Sequence, residues 1–369
     1  MAGILAVNAG SSSVKLSLIG DDDETLARHE LDAASLTSAP GELRQALSQG
    51  LEPADAVVHR IVHGGDRFFE AVRIDAAVEA SLRELVELAP LHQPKSLTAL
   101  DAVSGVLPDI AAIACFDTAF HASLPAAART YALPAAWRER WPLHRFGFHG
   151  LSHAWVARRA PEMLDVGDVS ALRIVSCHLG AGASLCAIAG GISVATTMGF
   201  TPLEGLVMAT RSGTIDPGML LWLLEHGGMS ERQVAHALEH ESGLLGLSGT
   251  ADMRQVLERE RAGDPEAALA LEVYVDRLRG GVATMAAALG GLDALVFTGG
   301  VGEHAAEVRW EAAAGLEFMG LAIDPDLNAS VGKEAEITLP GSQVRVLVLR
   351  AREDLEMTRQ ARAVLTAGK

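Results

Sequence analysis

Four charged or titratable side chains lie in or beside apolar segments and glycine-rich loops, in contexts suited to binding oxyanions. Arg60 interrupts a predicted apolar strand, and Asp117 directly follows a continuous apolar run. Arg211 lies in a loop of glycines and threonines, and His149 precedes a glycine. Guanidinium groups and a histidine N–H can neutralise oxyanions, and a carboxylate after a buried strand can hold magnesium. The sequence therefore predicts a site for an anionic, phosphate-like ligand.

Each of these residues also has an ordinary structural interpretation. Arg60 could form a structural salt bridge, because a buried unpaired guanidinium costs several kcal/mol, and Asp117 could cap a helix. His149 and His153 have the i, i+4 spacing of a zinc pair, but no glutamate follows the first histidine and a glycine weakens a helix there. These alternatives stay open at this point.

The elements that position these residues include two predicted glycine-rich hairpins. Residues 4–19 are strand-like on both sides of Asn8-Ala-Gly-Ser-Ser-Ser13, and residues 173–191 repeat the pattern around His-Leu-Gly-Ala-Gly-Ala-Ser. Glycine permits tight backbone angles, while serines, the asparagine and Lys15 supply donors and a positive charge. Each turn is a candidate phosphate cradle, although an ordinary polar hairpin explains a single one equally well.

A second pair of similar segments suggests an internal duplication. Residues 55–66 and 293–304 are both apolar strands that end in a Gly-Gly turn. Two similar halves that face each other across a cleft, each with a phosphate-binding hairpin, resemble the sugar kinase, chaperone ATPase and actin superfamily. We therefore expect an α/β protein with a duplicated actin-like fold and two domains.

Length and composition narrow the class of protein. A chain of 369 residues with 49% hydrophobic residues and 37 glycines predicts a folded protein of two domains. The net charge of −17 disfavours nonspecific binding to nucleic acid or to anionic membranes. Without a basic leader or a membrane-length apolar run, we expect a cytoplasmic protein. Three cysteines without metal spacing predict reduced core residues, with a catalytic thiol as the alternative.

Helix boundaries are marked by Asp-Pro pairs. Asp216 and Asp264 each precede a proline, which predicts a helix N-cap with proline at the first helical position. The second of these helices is expected to continue to a glycine stop at 290–291.

Nine ordered motifs resemble the acetate and propionate kinase family over essentially the whole chain. They are VNAGSSSVK, HRIVHGG, APLH, FDTAFH, FGFHGLSH, CHLGAG, MGFTPLEGL, TRSGTIDP and GGVGE. The resemblance implies a duplicated actin-like homodimer that transfers phosphate between ATP and acetate with Mg²⁺ or Mn²⁺. Domains would comprise 1–118 with 355–369, and 119–354. Neither nucleic acid nor a membrane is an expected partner.

The resemblance also implies roles for individual residues. Those expected near phosphates and metal are Asn8, Ser11 and Lys15, with His178, Gly180 and Gly182 in the second phosphate loop. Arg60 and Arg211 would hold the carboxylate and the transferring phosphoryl oxygens, and His149 would stabilise the transition state. Asp117 and Glu353 would organise magnesium. The residues expected to line the methyl pocket are Val62, Leu91, Phe148 and Pro202, and those expected near adenosine are Asp252, Arg254, Gly300 and Val301.

The chain departs from the family pattern at three positions where an asparagine is usual. These positions are Ala181, His304 and Arg352. We expect the loss of three amide groups to affect nucleotide affinity and the identity of the phosphoryl donor. Three other functions are alternatives to acetate kinase. They are a propionate or broader short-chain carboxylate kinase, an actin-like ATP-binding scaffold, and a zinc hydrolase that uses His144, His149 and His153.

Overall fold

The computed structural model describes residues 3–10, 13–32, 40–48, 51, 54–89 and 93–367. The chain divides into two compact units. Unit 1 comprises Met1–Ala122, Phe148–Trp155 and Arg352–Lys369, and unit 2 comprises Ser123–Gly147 and Val156–Ala351. Unit 1 is therefore assembled from three separate stretches of the chain.

Unit 1 contains a six-stranded mixed sheet in the order β3-β2-β1-β4-β6-β5. Its strands are β1 (Ile4–Ala9), β2 (Ser13–Ile19), β3 (Thr25–Asp32), β4 (Ala56–Ile61), β5 (Val72–Arg73) and β6 (Ala111–Phe116). Strands β1, β4 and β6 are parallel neighbours, whereas β2, β3 and β5 pair antiparallel. Because β1 and β4 are buried on both faces, their sequences are almost continuously apolar.

Unit 2 contains a second six-stranded sheet in the order β11-β12-β10-β7-β8-β9. Its strands are β7 (Arg173–Leu179), β8 (Ala183–Ala189), β9 (Ile192–Thr196), β10 (Ala294–Thr298), β11 (Ala335–Glu336) and β12 (Arg345–Val348). Read from β9, the order and the strand directions repeat those of unit 1 read from β3. The repeat confirms the predicted duplicated actin-like fold.

The α-helices of the described residues fall between and after these strands. They are α1 (Pro40–Ser48), α2 (Ala76–Glu84), α3 (Gln93–Val106), α4 (Ala126–Arg129), α5 (Ala135–Arg140), α6 (Gly150–Met163), α7 (Pro217–Glu225), α8 (Glu231–His236), α9 (Gly243–Ser248), α10 (Met253–Arg261), α11 (Pro265–Leu289), α12 (Gly299–His304), α13 (Ala306–Ala314), α14 (Pro325–Ala329) and α15 (Glu353–Ala367). Short 3₁₀ turns lie at Leu85–Leu88, Ala119–His121 and Glu317–Met319, and a π-helix lies at Ala237–Glu241.

The predicted helix caps are confirmed. Asp216 caps α7 by accepting a hydrogen bond from the Gly218 N–H, and Asp264 caps α11 through the Glu266 and Ala267 N–H groups. Helix α11 ends at Gly290, which has the left-handed conformation expected of a glycine stop.

Two local expectations need correction. The helical spacing of apolar residues within 78–89 predicts a helix that ends at Pro90, but the regular helix ends at Glu84 and is followed by a 3₁₀ turn. The second Gly-Gly segment is not an open turn, because residues 299–304 form the short helix α12. Its bend falls at Gly299, where a Cβ atom would lie 2.7 Å from the Leu179 carbonyl oxygen.

Helices cover both faces of the unit 1 sheet. On one face, Leu43 and Leu47 of α1 and Val103 of α3 pack in the same buried cluster as β1 and β2. On the other face, Met357 and Ala361 of α15 pack with residues of β1, β4 and β6. Helix α15 thereby completes a core whose other buried members lie between Ile4 and Leu151.

One buried polar residue of this sheet has no hydrogen-bond partner among the described residues. His59 is 1% exposed, and neither ring nitrogen forms a hydrogen bond with the described part of the chain. Burial lowers the pKa of His59 to about 4, so the ring is neutral at physiological pH. The expectation that His59 is structural therefore agrees with its position inside the sheet.

Among the described helices, none has both the length and the apolar composition needed to cross a membrane.

Candidate active site

Unit 1 places three of the predicted site residues around the guanidinium group of a fourth, Arg60. Arg60 near the end of β4 contacts both oxygens of Asp117, with Nη2 2.7 Å from Oδ2 and Nε 3.0 Å from Oδ1. Its Nη1 donates to Asn8 Oδ1 at 3.0 Å and to Glu353 Oε2 at 3.3 Å. Asn8 Nδ2 donates to the same Glu353 oxygen at 2.6 Å. Residues separated by more than 340 positions thus form one network.

The electrostatics of this cluster favour a charged arginine between two carboxylates. Burial opposes the charge on Arg60, but Asp117 and Glu353 outweigh burial and raise the pKa of the guanidinium. Burial raises the pKa of Asp117 to about 6, although the charge of Arg60 acts in the opposite direction. At neutral pH, Asp117 is therefore ionised and holds Arg60 in place. The alternative of a helix cap is wrong for Asp117, because Thr118 occupies the N-cap position of the turn that follows.

Asp117 also fixes the segment that carries His149. The Asp117 carbonyl oxygen accepts a hydrogen bond from the Gly150 N–H at 2.9 Å, and a Cβ atom on Gly150 would lie 2.1 Å from that oxygen. Gly150 begins α6, so only glycine permits this close approach. His149 itself has φ +56°, a left-handed conformation that is uncommon outside glycine. One residue therefore positions Arg60 through its side chain and His149 through its backbone.

The predicted methyl pocket is partly described. Phe148 is buried, its ring meets that of His63 edge-on at 5.5 Å, and its carbonyl oxygen lies 3.0 Å from His121 Nε2. Val62 directly follows β4 and is half-buried. Leu91 and Ser11, which were predicted to contact acyl group and phosphate, lie outside the described residues.

Asn8 and Lys15 are cross-strand partners beside the first hairpin tip. The tip is closed by a hydrogen bond from the Gly10 N–H to the Ser13 carbonyl oxygen at 2.8 Å. Lys15 is exposed, and it also lies opposite Glu30 on β3.

The second hairpin lies in unit 2 and brings four predicted residues together. Gly180 donates its N–H to the Gly182 carbonyl oxygen at 2.9 Å, so this tip closes as the first one does. A Cβ atom on Gly180 would lie 3.7 Å from His178 Nε2 and 4.0 Å from the Gly300 N atom. Gly300 is exposed and its neighbour Val301 is half-buried in α12. The two glycine-rich segments of unit 2 therefore lie next to each other.

Arg211 and Pro202 are also brought together in unit 2. The Nη1 of Arg211 donates to the Pro202 carbonyl oxygen at 2.9 Å and contacts Met208 Sδ at 3.6 Å. Its Nε lies 3.4 Å from Oε2 of Glu239, a buried carboxylate. Burial lowers the pKa of Arg211, and Glu239 opposes that shift. Glu239 was not singled out in the sequence, since nothing in the local pattern distinguishes it from a surface glutamate.

Asp252 and Arg254 form a surface pair. Asp252 caps α10, and its carboxylate lies 2.6 Å from Arg254 Nη2. Within the described chain, no hydrogen bond or ion pair joins either residue to Gly300 or Val301. Their predicted place near adenosine therefore stays a prediction.

A buried arginine that the sequence did not reveal supports α12. Arg309 is 1% exposed and donates to the carbonyl oxygens of Gly302 and Glu303 and to both oxygens of Asn328. Burial lowers the pKa of Arg309 to about 10, which leaves it charged at neutral pH. A cation at the carboxyl end of a helix is favourable for the helix dipole.

The three departures from the family pattern do not supply the missing amides. Ala181 is exposed at the hairpin tip, where its carbonyl oxygen accepts from the Ala209 N–H, and His304 is exposed at the end of α12. Arg352 is engaged by Asp354 and by the Thr25 hydroxyl. None of these three side chains carries the amide group that an asparagine would provide.

The donor set in unit 1 fits magnesium better than zinc. Asn8, Asp117 and Glu353 offer carboxylate and amide oxygens, and magnesium is usually held by one or two carboxylates together with substrate phosphates. In the described residues, no group of three or more His, Cys, Asp or Glu side chains is arranged for a metal ion. The zinc alternative therefore receives no support, and Cys115, Cys177 and Cys186 are buried free thiols.

Comparison with known proteins agrees with the strand order and the motifs. The Acetokinase family matches residues 21–359. Acetate kinase of Acetivibrio thermocellus is 39% identical over 97% of this chain and 98% of its own, and that of Geobacillus kaustophilus is 40% identical with the same coverage. The crystal structure of Porphyromonas gingivalis acetate kinase has a TM-score of 0.89 at 34% identity, covering 99% of this chain and 100% of its own. A propionate kinase from Francisella tularensis also has a TM-score of 0.89, at 32% identity over 98% and 99%. The chain therefore belongs to the acetokinase family.

Proposed function

We propose that this chain transfers the γ-phosphoryl group of ATP reversibly to acetate, which gives acetyl phosphate and ADP. The observation that carries the proposal is the cluster of Arg60, Asp117, Glu353 and Asn8. It holds a guanidinium group beside two carboxylates at the strand ends of unit 1, and Mg²⁺ bound to these carboxylates would neutralise their surplus negative charge. Such a cluster suits a reaction between two anions, whose main difficulty is electrostatic repulsion.

The chemistry requires no general base. An acetate oxygen is already ionised at neutral pH, so it attacks the γ-phosphorus directly while the bond to the bridging oxygen of ADP breaks. Arg60 would hold the acetate carboxylate, and Arg211 would bind the oxygens of the transferring phosphoryl group. His149 would donate a hydrogen bond to the charge that develops in the transition state. Val62, Leu91, Phe148 and Pro202 would contact the methyl group.

Nucleotide and metal would be held by residues of the remaining predicted set. Those proposed for nucleotide phosphates are Ser11, Lys15, His178, Gly180 and Gly182, and those proposed for adenosine are Asp252, Arg254, Gly300 and Val301. Asn8, Asp117 and Glu353 would hold Mg²⁺, which supplies neutralisation of phosphate charge when it is bound.

Acyl trapping by hydroxylamine tests the reaction. Purified protein is incubated with ATP and Mg²⁺ together with acetate, propionate or butyrate in parallel, and acyl hydroxamate is measured. We expect acetate to give the strongest signal, whereas a stronger signal from propionate would favour the alternative that the propionate kinase neighbour suggests. One methylene changes binding by about 1–3 kcal/mol, so both acids are expected to react.

The scaffold alternative predicts a different result. A protein that only binds ATP needs neither His149 nor Arg60. Under this alternative, the His149→Ala variant would still bind nucleotide and keep its function in the cell. If wild-type protein gave no hydroxamate with any of the three acids, the kinase proposal would be contradicted. A matched control is His236→Ala, because His236 is an exposed histidine of unit 2, whereas His149 lies in unit 1.

A homodimer is also proposed, through the exposed apolar helix α7. Its residues 219–224 are Met-Leu-Leu-Trp-Leu-Leu, and Leu221 and Trp222 remain 60% and 57% exposed. In a chain with a net charge of −17, the uncharged apolar segment 219–224 is a surface where two copies can approach with little repulsion. Sedimentation should show a dimer for the wild type and a monomer for Leu221→Glu. A dimeric variant would place the interface elsewhere.

We propose a cytoplasmic location.

A further inference from the structure

The loop that carries Arg211 is attached at several points to the π-helix Ala237–Glu241. The Ser212 N–H donates to the Leu238 carbonyl oxygen, and the Thr210 hydroxyl donates to the Glu239 carbonyl oxygen at 2.8 Å. The Ser242 N–H donates back to the Thr210 carbonyl oxygen at 3.0 Å. A π-turn contains one more residue than an α-turn and occurs frequently at functional sites. The backbone on both sides of Arg211 is thereby fixed.

The close contact of this loop with the next helix depends on a glycine. Gly243 has φ +63°, and a Cβ atom there would lie 2.2 Å from the Met208 carbonyl oxygen and 2.7 Å from that of Arg211. Helix α9 begins at Gly243, and the Leu244 N–H donates to the Met208 carbonyl oxygen. The π-helix and the start of α9 therefore hold the Arg211 loop together.

The side chain of Glu239 completes this arrangement. Its carboxylate lies 3.4 Å from Arg211 Nε, and the two side chains are only 10% and 16% exposed. Pro202 and Met208 contact Nη1 of the same guanidinium. In the described chain no hydrogen bond is formed by Nη2, which leaves that nitrogen for an oxyanion. Glu239 is the carboxylate that neutralises Arg211 without occupying all of its donors.

We propose that Glu239 is a positioning residue for the reaction, which acts by fixing the orientation of the Arg211 guanidinium. This inference rests on the proposed function, in which Arg211 binds the transferring phosphoryl group. An arginine that is free to rotate must be ordered as the transition state forms, whereas a held arginine binds it without prior reorganisation. Glu239 does not touch the substrate.

The test compares three variants in the kinase assay. Glu239→Gln keeps the size of the side chain and removes its charge, and Glu239→Asp keeps the charge on a shorter side chain. Glu241→Gln is the matched control, because Glu241 lies in the same π-helix but is 64% exposed and pairs with His236 at 3.5 Å. We expect Glu239→Gln to lower kcat about 10- to 100-fold, the usual loss for a partner that orients a functional group. Glu239→Asp should recover part of that loss, and Glu241→Gln should stay within about twofold of wild type.

A double-mutant cycle separates positioning from a purely structural role. If Glu239 acts through Arg211, Glu239→Gln should cause no further loss of kcat in an Arg211→Ala protein. An equal loss in both backgrounds would show that Glu239 acts independently and would overturn the inference, as would a Glu239→Gln variant with wild-type kcat. Thermal unfolding confirms folding, and the cycle is run with Glu239→Asp if the Gln variant does not fold.

Failure of the proposed function gives a different result. If Arg211→Ala keeps wild-type kcat, the role assigned to Arg211 is wrong, and the inference about Glu239 fails with it. If Arg211→Ala is impaired and Glu239→Gln is not, only the inference about Glu239 fails.

Discussion

At matching positions of the two sheets, unit 1 carries Asn8 and Arg60 whereas unit 2 carries His178 and Thr298. The match follows from the hairpins and the strand register, because Val7 pairs with His59 in unit 1 as Cys177 pairs with Phe297 in unit 2. Both sheets have the same strand order, and both hairpin tips are closed by one backbone hydrogen bond. The chemistry at the strand ends is nevertheless different.

The difference shows how, after a duplication, the two copies of a fold can carry different functional groups. Unit 1 gathers a half-buried arginine, two carboxylates and an amide at its strand ends, where opposite charges hold one another in fixed positions. Unit 2 has a threonine, a histidine and adjacent glycines there, which leave the backbone open to a ligand. The charged residue of unit 2, Arg211, comes from a loop and not from a strand. The fold thus provides two similar scaffolds that the sequence equips differently.

The two arginines differ in the same way. Arg60 is held by Asp117, Glu353 and Asn8, so most of its donors are occupied. Arg211 is held by one carboxylate and one carbonyl oxygen. We therefore expect substitution at Arg60 to damage both the fold and the reaction, and substitution at Arg211 to damage chiefly the reaction.

The largest effect is expected for Arg60→Met. It should lower kcat by about 10²- to 10³-fold, since it removes an oxyanion donor. It should also lower the free energy of unfolding by about 3–5 kcal/mol, because Asp117 and Glu353 lose their buried counter-ion. Steady-state kinetics and denaturant titration measure the two losses, with Arg83→Met, a substitution in an exposed ion pair, as the control. A variant with more than a tenth of wild-type kcat would contradict the special role of unit 1.

The next prediction compares His59 of unit 1 with Phe297, which occupies the matching position in unit 2. The unfolded chain binds a proton on His59 below pH 6.5, but the folded chain does so only below about 4. Unfolding therefore takes up a proton between these values, and stability should fall by up to about 3 kcal/mol as pH falls through this window. His59→Phe should remove that part of the pH dependence, measured by denaturant titration at pH 7 and pH 5. An unchanged difference between the two pH values would contradict the prediction.

Alanine substitutions at two glycines compare the close backbone contacts of the units. Gly150→Ala would place a Cβ atom 2.1 Å from the Asp117 oxygen, and Gly299→Ala would place one 2.7 Å from the Leu179 oxygen. Each should cost about 1–3 kcal/mol of stability. We expect Gly150→Ala to lower kcat through His149, and Gly299→Ala to raise KM for ATP. Gly105→Ala, in the open part of α3, is the control and should be neutral or stabilising.

The smallest effect is expected for Thr298→Val. The Thr298 hydroxyl is fully buried and has no partner within the described chain. Its removal should leave the melting temperature unchanged or raise the free energy of unfolding by up to about 1 kcal/mol. The KM for ATP should stay within about twofold of wild type. A higher KM would show that this hydroxyl serves the ligand, the role that we propose for its counterpart Arg60 in unit 1.

Much of the fold could be predicted because local rules determine it. Strand alternation, glycine-rich turns and Asp-Pro caps depend on neighbouring residues, so the hairpins, α7 and α11 were foreseen. The repeated strand and turn patterns revealed the duplication. The end of α2 was not foreseen, since a helical spacing does not distinguish an α-helix from a 3₁₀ turn.

The site could be predicted less fully because its contacts join distant residues. Arg60 and Asp117 stood out as charges next to apolar strands, Asn8 stood out as a donor in the first hairpin turn, and motif resemblance supplied the role of Glu353. The sequence does not show that Asp117 serves two residues, or that Gly150 is required by its carbonyl oxygen. Glu239 and Arg309 have no local signal at all, because their importance lies in burial against partners elsewhere in the chain.

The assembly of unit 1 from three stretches of chain has a consequence for biosynthesis. Helix α15, which supplies Glu353 and covers one face of the first sheet, leaves the ribosome only after all of unit 2. During translation, the apolar face that contains Ile4 and Val58 therefore stays exposed until α15 is synthesised. The strands of unit 2 are available to pair before that point. Nascent chains should thus acquire protease resistance in unit 2 first. A chain truncated before residue 352 should leave this apolar face exposed to aggregation and should depend on chaperones.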